Sequence, residues 1–283
     1  MKLVSFIYRG RESFGAVDGD QILDLGQGEG EGRDLRSALP GLLDADAGMS
    51  GRGPAIPMDE VELLPPIVRG QKIVCVGLNY RKHAEEANIP IPKYPSIFVR
   101  FPDSVSGHGQ DIVKAAASDE FDFEGELAVI IGKRARHVRA ADAMAHVAGY
   151  SCFADNSMRD FQRHAAQVTP GKNFTTSGGF GPWLITADEV GDLTPLNLQT
   201  RLNGTVVQES PLGDMIFSVP ELIEYVSGWT ELMPGDVIAT GTPAGVGAAR
   251  KPPLWMKPGD VLEVEIEGVG SLRQTVVAER AQG

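Results

Sequence analysis

The segment FDFEGELAVII, residues 121–131, constrains the fold more than any other part of the chain because polar and apolar residues alternate along it. Residues two apart share one face of a β-strand, so Asp122, Glu124 and Glu126 are predicted to lie on the same face. Two apolar residues continue that face, and the opposite face is apolar apart from one glycine. The pattern predicts a strand with one core face and a second face that begins with carboxylates and ends apolar.

The carboxylates of this strand indicate a cation. Carboxylates on one face repel each other, and the apolar continuation of the face argues that it is buried. The alternative is a solvent-exposed strand end that carries a few charges. If the face is buried, a hard divalent ion such as Mg²⁺, Mn²⁺ or Ca²⁺ is the natural partner, because these ions prefer oxygen ligands. Two glutamates alone are weak evidence, so a third ligand is needed.

Asp155 is a candidate for that ligand. It lies between a predicted strand, residues 148–153, and a predicted helix, residues 157–165. Its side chain could cap the helix by accepting backbone N–H bonds, or it could direct a carboxylate at the cation. Arg159 and Gln162 lie one helical turn further on and would share a helix face. They are either surface residues or a pair that binds a substrate carboxylate.

A second pair of polar side chains, His83 and Glu86, falls within a short helix predicted at residues 79–88. Residues three apart share a helix face. They are either an exposed, weakly interacting pair or a dyad in which Glu86 raises the basicity of the imidazole and His83 takes a proton from water. Several prolines follow this helix, so the segment could act as a lid that excludes bulk water.

Two loops add further candidates. Lys172 lies in a tight, otherwise uncharged loop, residues 169–174, where it is either a solvated charge or a group that stabilises a developing oxyanion. The glycine-rich loop TGTPAGVG, residues 240–247, resembles a nucleotide-binding loop, but the prolines that follow it disfavour the helix such a loop requires. Close backbone approach to a small carboxylate is the better interpretation.

Composition narrows the possible partners. The chain has 283 residues, 42% of them hydrophobic, and a formal net charge of −12, which disfavours nucleic acids and anionic membranes as partners. It contains no apolar run long enough to span a bilayer and no signal-peptide core near residue 1, so a cytoplasmic location is expected. Cys75 and Cys152 lie in apolar runs, which favours reduced, buried thiols.

Turn residues suggest how the chain is divided. Short strands at residues 2–8 and 21–25 precede Leu64-Pro65-Pro66, which predicts a boundary between a small N-terminal domain, residues 1–64, and a larger domain, residues 65–283, that contains all the candidate site residues. Two Pro-Gly-Asp turns open apolar strands in the second part, which predicts a β-rich core. Beyond the two short helices near the candidate site residues, a helical pattern is clear at residues 140–146 and 219–225.

Several segments together resemble the fumarylacetoacetate hydrolase family, especially its short bacterial members. In chain order they are VGLNYRKHAEE, FDFEGELAVIIG, GYSCFADNSMRDFQ, PGKNF, LNGTVVQ with DMIF, and IATGTPAGVG. The resemblance implies an α+β, mostly β fold, a mixed β-sandwich roll with a small N-terminal domain. It also implies one divalent cation per subunit, usually Mg²⁺ or Mn²⁺, and a homodimer.

By position, the resemblance assigns roles to nine residues and leaves Asp122 as an outer neighbour of the metal. The implied metal ligands are Glu124, Glu126 and Asp155; the implied catalytic residues are His83, Glu86 and Lys172; the implied substrate contacts are Arg159, Gln162 and Thr242.

The expected reaction is hydrolysis of a carbon–carbon bond in an acylpyruvate such as fumarylpyruvate, which releases pyruvate from a small anionic 2-oxo acid. The alternatives are oxaloacetate decarboxylation, isomerisation of an unsaturated dicarboxylate such as 2-hydroxyhepta-2,4-diene-1,7-dioate, and a non-catalytic metal-binding role. Residues 209–213 read ESPLG where many family members carry Asn-Thr, which leaves the substrate open.

Overall fold

The computed structural model describes residues 1–26, 34–43 and 53–280, and its regular structure is mostly β-strand. Strands and helices are numbered separately in chain order. The largest sheet has twelve strands. They are β1 Lys2–Tyr8, β2 Arg11–Asp18, β3 Gln21–Asp24, β4 Ala55–Pro57, β5 Glu62–Leu63, β6 Ile73–Gly77, β7 Ser96–Arg100, β8 Val105–Ser106, β11 Gly125–Ile131, β12 Val147–Ala154, β14 Gly178–Thr186 and β17 Val237–Ala239.

The remaining strands form two smaller sheets. A five-stranded sheet contains β9 Ile112–Lys114, β15 Asn197–Leu202, β16 Thr205–Pro211, β18 Val261–Ile266 and β19 Gly270–Ala278, and β10 Phe121–Asp122 pairs with β13 Ser157–Met158. The α-helices are α1 Leu35–Leu43, α2 Arg81–Glu86, α3 Arg159–Gln162, α4 Thr169–Lys172, α5 Ala187–Val190 and α6 Val219–Trp229. Short 3₁₀ helices occur at Met58–Glu60, Pro102–Ser104, Ala140–His146, Leu212–Asp214 and Gly247–Ala249. The mostly β, α+β fold expected from the sequence is confirmed.

Strand β11 lies inside the large sheet, with β12 on one side and β17 on the other. All of its residues are buried. Leu127, Val129 and Ile131 pack into a core to which β15, β18 and β19 of the five-stranded sheet also contribute. Ala128 and Ile130 pack into a second core with residues of α1 and the N-terminal strands. The strand therefore has a core on both faces, as its sequence pattern predicts.

The prediction of one continuous strand over residues 121–131 is wrong at Phe123 and Glu124. Strand β10 ends at Asp122 and pairs with β13, whereas β11 begins at Gly125. The Asp122 carboxylate accepts hydrogen bonds from the backbone N–H groups of Phe123 at 2.8 Å and Gly247 at 2.7 Å. These bonds hold the chain out of the β11 ladder and leave Glu124 just beyond its edge.

The N-terminal segment extends the large sheet. Strand β1 pairs with β14 in antiparallel register, with Leu3 opposite Leu184. Helix α1 buries Leu35, Ala38 and Leu39 in the core that also contains Ala128 and Ile130 of β11. The division into domains at residues 64 and 65 stays a prediction.

The helices of the structure differ in length from the predicted ones. The helix predicted at residues 157–165 is reduced to α3, because Ser157 and Met158 pair with β10 as a strand. Helix α6 instead extends beyond the predicted segment to Trp229, and a capping box between Ser218 and Glu221 begins it. Residues 140–146 form a 3₁₀ helix.

Both cysteines are free and buried, as expected. Burial raises the pKa of the Cys75 thiol well above its ordinary value and that of Cys152 to about 12. Within the described ranges, the helices are all too short or too polar to cross a membrane.

Candidate active site

Glu124, Glu126 and Asp155 form one buried cluster, in which a carboxylate oxygen from each lies within 4.8 Å of the other two. The antiparallel pairing of β11 with β12 places Gly125 opposite Ala154, so the residues that flank these two positions converge. The backbone N–H of Asp155 donates to the carbonyl of Glu124 at 2.8 Å. Because all three side chains are buried, the alternative of an exposed strand end is wrong.

Asp155 does not cap the following helix. The residue at the cap position of α3 is Met158, and no side chain accepts a capping bond there. Both carboxylate oxygens of Asp155 instead bind buried cations, with Oδ1 at 2.8 Å from Arg100 and Oδ2 at 2.6 Å from Lys172. Asp155 is therefore part of the charged cluster and not of the helix terminus.

Lys172 is almost fully buried against this cluster. Its ammonium group donates to the carboxylate of Glu124 and, at 3.1 Å, to the backbone carbonyl of Asp155. The lysine sits at the end of α4, whose position is fixed by the next residue. The side-chain amide of Asn173 donates to Val99 O at 3.0 Å and accepts from Phe101 N at 2.6 Å, as a neighbouring strand would along the free edge of β7.

Arg159 connects the cluster to Asp122. Its guanidinium donates to Asp122 at 2.8 Å, to Glu124 at 2.5 Å and to the Gln162 amide oxygen at 2.9 Å. Asp122 also accepts from the backbone N–H groups of Gly247 and Ala248. Asp122 thus lies behind Arg159 and outside the three-carboxylate cluster, where the sequence resemblance places it.

The two glutamates of the cluster differ in their charge environment. Burial would raise the pKa of Glu124, but Arg159 and Lys172 outweigh it and lower the pKa to about 2. The pKa of Glu126 is raised well above its ordinary value by burial and by the neighbouring Asp155 and Glu124. Within the described residues, no side-chain cation forms an ion pair with Glu126, which accepts only the Gly241 N–H at 2.9 Å.

His83 and Glu86 lie on α2 as the predicted pair, with His83 Nδ1 at 3.2 Å from Glu86 Oε2. The Gly245 N–H donates to both oxygens of Glu86, at 3.0 and 3.1 Å. Burial would raise the pKa of Glu86, but the hydrogen bonds from His83 and Gly245 together lower it below its ordinary value. Glu86 is therefore an ionised, fixed partner for the imidazole.

The glycine-rich loop over residues 240–247 binds the protein's own carboxylates. Its N–H groups donate to Glu126, Glu86 and Asp122. Gly245 has a φ of +102°, and a Cβ there would lie 2.3 Å from the carbonyl oxygen of Val207. The predicted approach of this backbone to a small carboxylate ligand stays a prediction, and the loop leads into one 3₁₀ turn, not into the long helix of a phosphate-binding loop.

All nine predicted site residues line one cavity of about 440 Å³, a size typical of small-molecule sites. Its wall is completed by apolar side chains such as Phe98, Ile89 and Val246. Residues 209–213, where the sequence departs from many family members, do not line it. A larger cavity of about 1130 Å³, beside residues 57–63 and 106–111, contains none of the nine.

Comparison with known proteins identifies the family. The family model described as "Fumarylacetoacetate (FAA) hydrolase C-terminal" matches residues 72–277, a span that contains all nine residues. The chain belongs to the fumarylacetoacetate hydrolase family.

Similar members of this family carry out more than one reaction. The human protein named "Oxaloacetate tautomerase FAHD2A, mitochondrial" is 46% identical over 226 residues, which cover 79% of this chain and 72% of that protein. A fumarylacetoacetate hydrolase from Exiguobacterium antarcticum has a TM-score of 0.87 and 34% identity, covering 99% of this chain and 100% of that one. A 2-hydroxyhepta-2,4-diene-1,7-dioate isomerase from Mycobacterium marinum has a TM-score of 0.80 and 31% identity, with 99% of both chains covered. The protein is an enzyme of the fumarylacetoacetate hydrolase family.

The family implies a divalent cation, and the residues of this site fit one. The cluster offers carboxylate oxygens, the ligands that Mg²⁺, Mn²⁺ and Ca²⁺ prefer. Four buried carboxylates, counting Asp122, face three cations, Arg100, Arg159 and Lys172. The excess negative charge falls on Glu126, the carboxylate of the cluster that lacks an ion-pair partner among the described residues, and a divalent ion would supply positive charge beside it.

Three residues of the site were not singled out from the sequence: Arg100, Asn173 and Gln208. Gln208 donates to the Thr242 hydroxyl at 2.8 Å and accepts from the Gly125 N–H at 2.9 Å, while the Thr242 hydroxyl donates to the Gly125 carbonyl at 2.9 Å. Gln208 thus joins the five-stranded sheet to strand β11. Arg100 carried a usable signal, because a charged residue within the apolar stretch SIFVRF requires a buried partner.

Proposed function

We propose that this enzyme interconverts the enol and keto forms of a small 2-oxo dicarboxylate, with oxaloacetate as the first candidate, and that it requires a divalent cation. The observation that carries the proposal is the joint placement of a proton-transfer pair and a carboxylate cluster in the wall of one cavity. The 46% identity with a protein named oxaloacetate tautomerase supports this choice of reaction.

Glu124, Glu126 and Asp155 would hold one Mg²⁺ or Mn²⁺. When bound, the ion supplies Lewis-acid stabilisation of negative charge that develops on the 2-oxo oxygen. The side-chain charges of the protein favour the same species. Arg159 and Lys172 place fixed positive charge on the cavity wall, in a buried setting where electrostatic stabilisation is strongest.

His83 moves the proton. In the direction from enol to keto, the enol hydroxyl loses its proton, C3 gains one, and the carbon–carbon double bond becomes a carbon–oxygen double bond. One O–H bond breaks, one C3–H bond forms and one π bond moves from C2–C3 to C2–O, so the carbon skeleton stays intact and no oxidant is needed. Glu86 holds the imidazole of His83 through Nδ1, and Gly245 holds Glu86. Among the described residues, Nε2 has no hydrogen-bond partner, so it can exchange a proton with substrate.

Tautomerisation would use the same residues as the acylpyruvate hydrolysis expected from the sequence, but it needs no attacking water. The names of the relatives support isomerisation, which is one of the alternatives drawn from the sequence, and tautomerisation of oxaloacetate, which is not, more than hydrolysis. Hydrolysis remains the second candidate, because the hydrolase from Exiguobacterium antarcticum has the same fold along the whole chain.

The test follows the decay of enol oxaloacetate by ultraviolet absorbance, with metal-stripped protein and with protein reloaded with Mg²⁺ or Mn²⁺. His83→Ala should lower the catalysed rate by about 10²–10⁴-fold, the usual contribution of a general acid–base group, and should leave Mn²⁺ binding unchanged. His146→Ala, outside the cavity, is the matched control and should retain full activity. Full activity of His83→Ala would refute the role of the pair.

Product analysis separates the other reactions. Pyruvate and CO₂ from oxaloacetate would indicate decarboxylation, and ¹⁸O from labelled water in an acid released from acetylpyruvate or fumarylpyruvate would indicate hydrolysis. Absence of metal-dependent oxalate or pyruvate binding, together with no turnover of any of these substrates, would indicate a non-catalytic metal-binding protein, because a structural metal site has no open coordination position.

We further propose that the enzyme is a homodimer and acts in the cytoplasm, with no nucleic acid or membrane as partner. The dimer follows from the family resemblance, and the net charge of −12 supports the absence of polyanionic partners. Light scattering coupled to gel filtration tests the dimer, and a monomer at micromolar concentration would refute it.

A further inference from the structure

We propose that Arg100 is a positioning residue that fixes the metal-binding orientation of Asp155. Arg100 is the last residue of β7, and its side chain is fully buried, with an exposed fraction of 0%. Its Nη1 donates to Asp155 Oδ1 at 2.8 Å and to the backbone carbonyl of Asn156 at 3.0 Å. The guanidinium thus binds both the side chain of Asp155 and the backbone that follows it.

The guanidinium is itself held from its other side. Nε donates to Ser104 Oγ at 3.1 Å, and Nη2 donates to Ser104 O at 3.2 Å and to Ser177 Oγ at 2.9 Å. Together with the bonds to Asp155 and Asn156, these make use of every N–H of the group. Gly178 leaves room for it, because a Cβ there would lie 2.7 Å from Nη2.

The two carboxylate oxygens of Asp155 have different partners in this arrangement. Oδ1 is bound to Arg100, while Oδ2 is bound to Lys172, whose ammonium group also donates to Glu124. Rotation of the carboxylate would break its bond to Arg100 and leave a buried guanidinium N–H without a partner, which is costly. Arg100 therefore holds Oδ2 toward the cluster. A lysine could keep the charge but could not make the same fork of bonds.

A role through charge alone predicts a different effect on metal binding. Arg100 is a cation beside a site for another cation, so loss of its charge alone would strengthen the binding of a divalent ion. Loss of positioning weakens binding, because groups that orient metal ligands typically contribute 10–100-fold to metal affinity. Because Arg100→Lys keeps the positive charge, a role through charge alone predicts an unchanged Kd in that variant, whereas loss of positioning predicts a higher Kd.

Calorimetric titration of metal-free protein with Mn²⁺ tests the inference. Arg100→Lys should raise the Kd for Mn²⁺ by about 10–100-fold. Arg36→Lys is the matched control, because Arg36 also pairs with a fully buried aspartate, Asp236, which precedes β17 at the end away from the cluster. It should lower thermal stability without changing the Kd. An unchanged or lower Kd in folded Arg100→Lys would overturn the inference.

Ser177→Ala covers the case in which Arg100→Lys does not fold. It removes one bond that holds the guanidinium and keeps the Arg100–Asp155 pair. Its Kd for Mn²⁺ should also rise, by less than in Arg100→Lys, and an unchanged Kd in this variant would overturn the inference.

Because this inference rests on the metal site of the proposed function, the wild-type protein and Asp155→Asn are titrated beside the variants. Wild-type protein that binds Mn²⁺ but has no tautomerase activity would refute the proposed reaction and leave the test of Arg100 intact. Wild-type protein that binds no Mn²⁺ would overturn both.

Discussion

Glu124→Gln and Glu126→Gln should change the stability of the metal-free protein in opposite directions, although the two carboxylates are neighbours in one cluster. Glu124 is paired with two cations that are themselves largely buried, Arg159 and Lys172. Glu126 has no such partner among the described residues and lies against two other carboxylates. Removing the charge of Glu124 breaks ion pairs, whereas removing that of Glu126 relieves repulsion.

The magnitude for Glu124 follows from its partners. Breaking a buried pair by removing one member costs about 3–5 kcal/mol. Arg159 keeps Asp122 and Lys172 keeps Asp155, so we expect the lower end, about 3 kcal/mol, at neutral pH. In a chain of this size, each kcal/mol of lost stability lowers the thermal unfolding midpoint by about 2–4 °C, so we expect the midpoint to fall by about 6–12 °C. Glu126→Gln should be at least as stable as the wild type under the same conditions.

The pH dependence has a sign for each glutamate. The pKa of Glu124 is lowered to about 2, so its carboxylate stabilises the folded protein at pH values above its ordinary pKa. This stabilisation is lost as the pH falls toward about 2, so the loss of stability in Glu124→Gln should shrink in acid. The pKa of Glu126 is raised, so its side chain contributes stability at pH values below its ordinary pKa, and this contribution is lost as the pH rises. The stability of Glu126→Gln relative to the wild type should therefore increase as the pH rises above that ordinary pKa.

The assay is thermal and urea unfolding followed by circular dichroism, in chelator, at several pH values from acid to neutral. Both variants should also fail to bind Mn²⁺, which shows that each carboxylate is needed for the metal whatever its effect on stability. Equal destabilisation by the two substitutions at neutral pH would refute the assignment of the unpaired charge to Glu126.

Two further substitutions test how the cavity wall is held. Asn173→Ala should lower kcat with little effect on Mn²⁺ binding, because it releases the turn that carries Lys172 from the edge of β7. Steady-state kinetics measure kcat, and calorimetry measures Mn²⁺ binding. An unchanged kcat would contradict this expectation. Gly245→Ala should cost about 1–3 kcal/mol from its positive φ and should also reduce activity by displacing Glu86. Gly259→Ala is its control, because Gly259 also has a positive φ, +94°, but a Cβ added there would have no other atom within 4 Å. This variant should lose stability without losing activity.

The sequence predicted those features that depend on local pattern. The alternation in residues 121–131 predicted a strand with one core face and a second face that ends apolar, as β11 shows over residues 125–131. The three-residue spacing of His83 and Glu86 predicted their contact on one helix face. The break at Phe123 could not be predicted in this way. It depends on bonds between Asp122 and the backbone of Gly247, more than a hundred residues later in the chain.

The grouping of the site residues required long-range pairing that periodicity does not encode. Asp155 reaches Glu124 only because β11 and β12 pair in the register that sets Gly125 opposite Ala154, and the family resemblance, not the local pattern, supplied that grouping. The partner of Arg100, Asp155, follows the end of β12, which is not adjacent to β7 in the sheet, so local pattern does not connect the two residues. A buried charge in an apolar strand indicates that a partner exists, but it does not identify the partner.

The most direct test of the central claim is exchange of the C3 hydrogens of oxaloacetate in D₂O, followed by ¹H NMR. Protein loaded with Mg²⁺ should accelerate the exchange while the carbon skeleton stays intact, and metal-stripped protein and His83→Ala should not. Accumulation of pyruvate in step with the loss of oxaloacetate, or exchange at the same rate without metal, would contradict metal-dependent proton transfer as the reaction of this cavity.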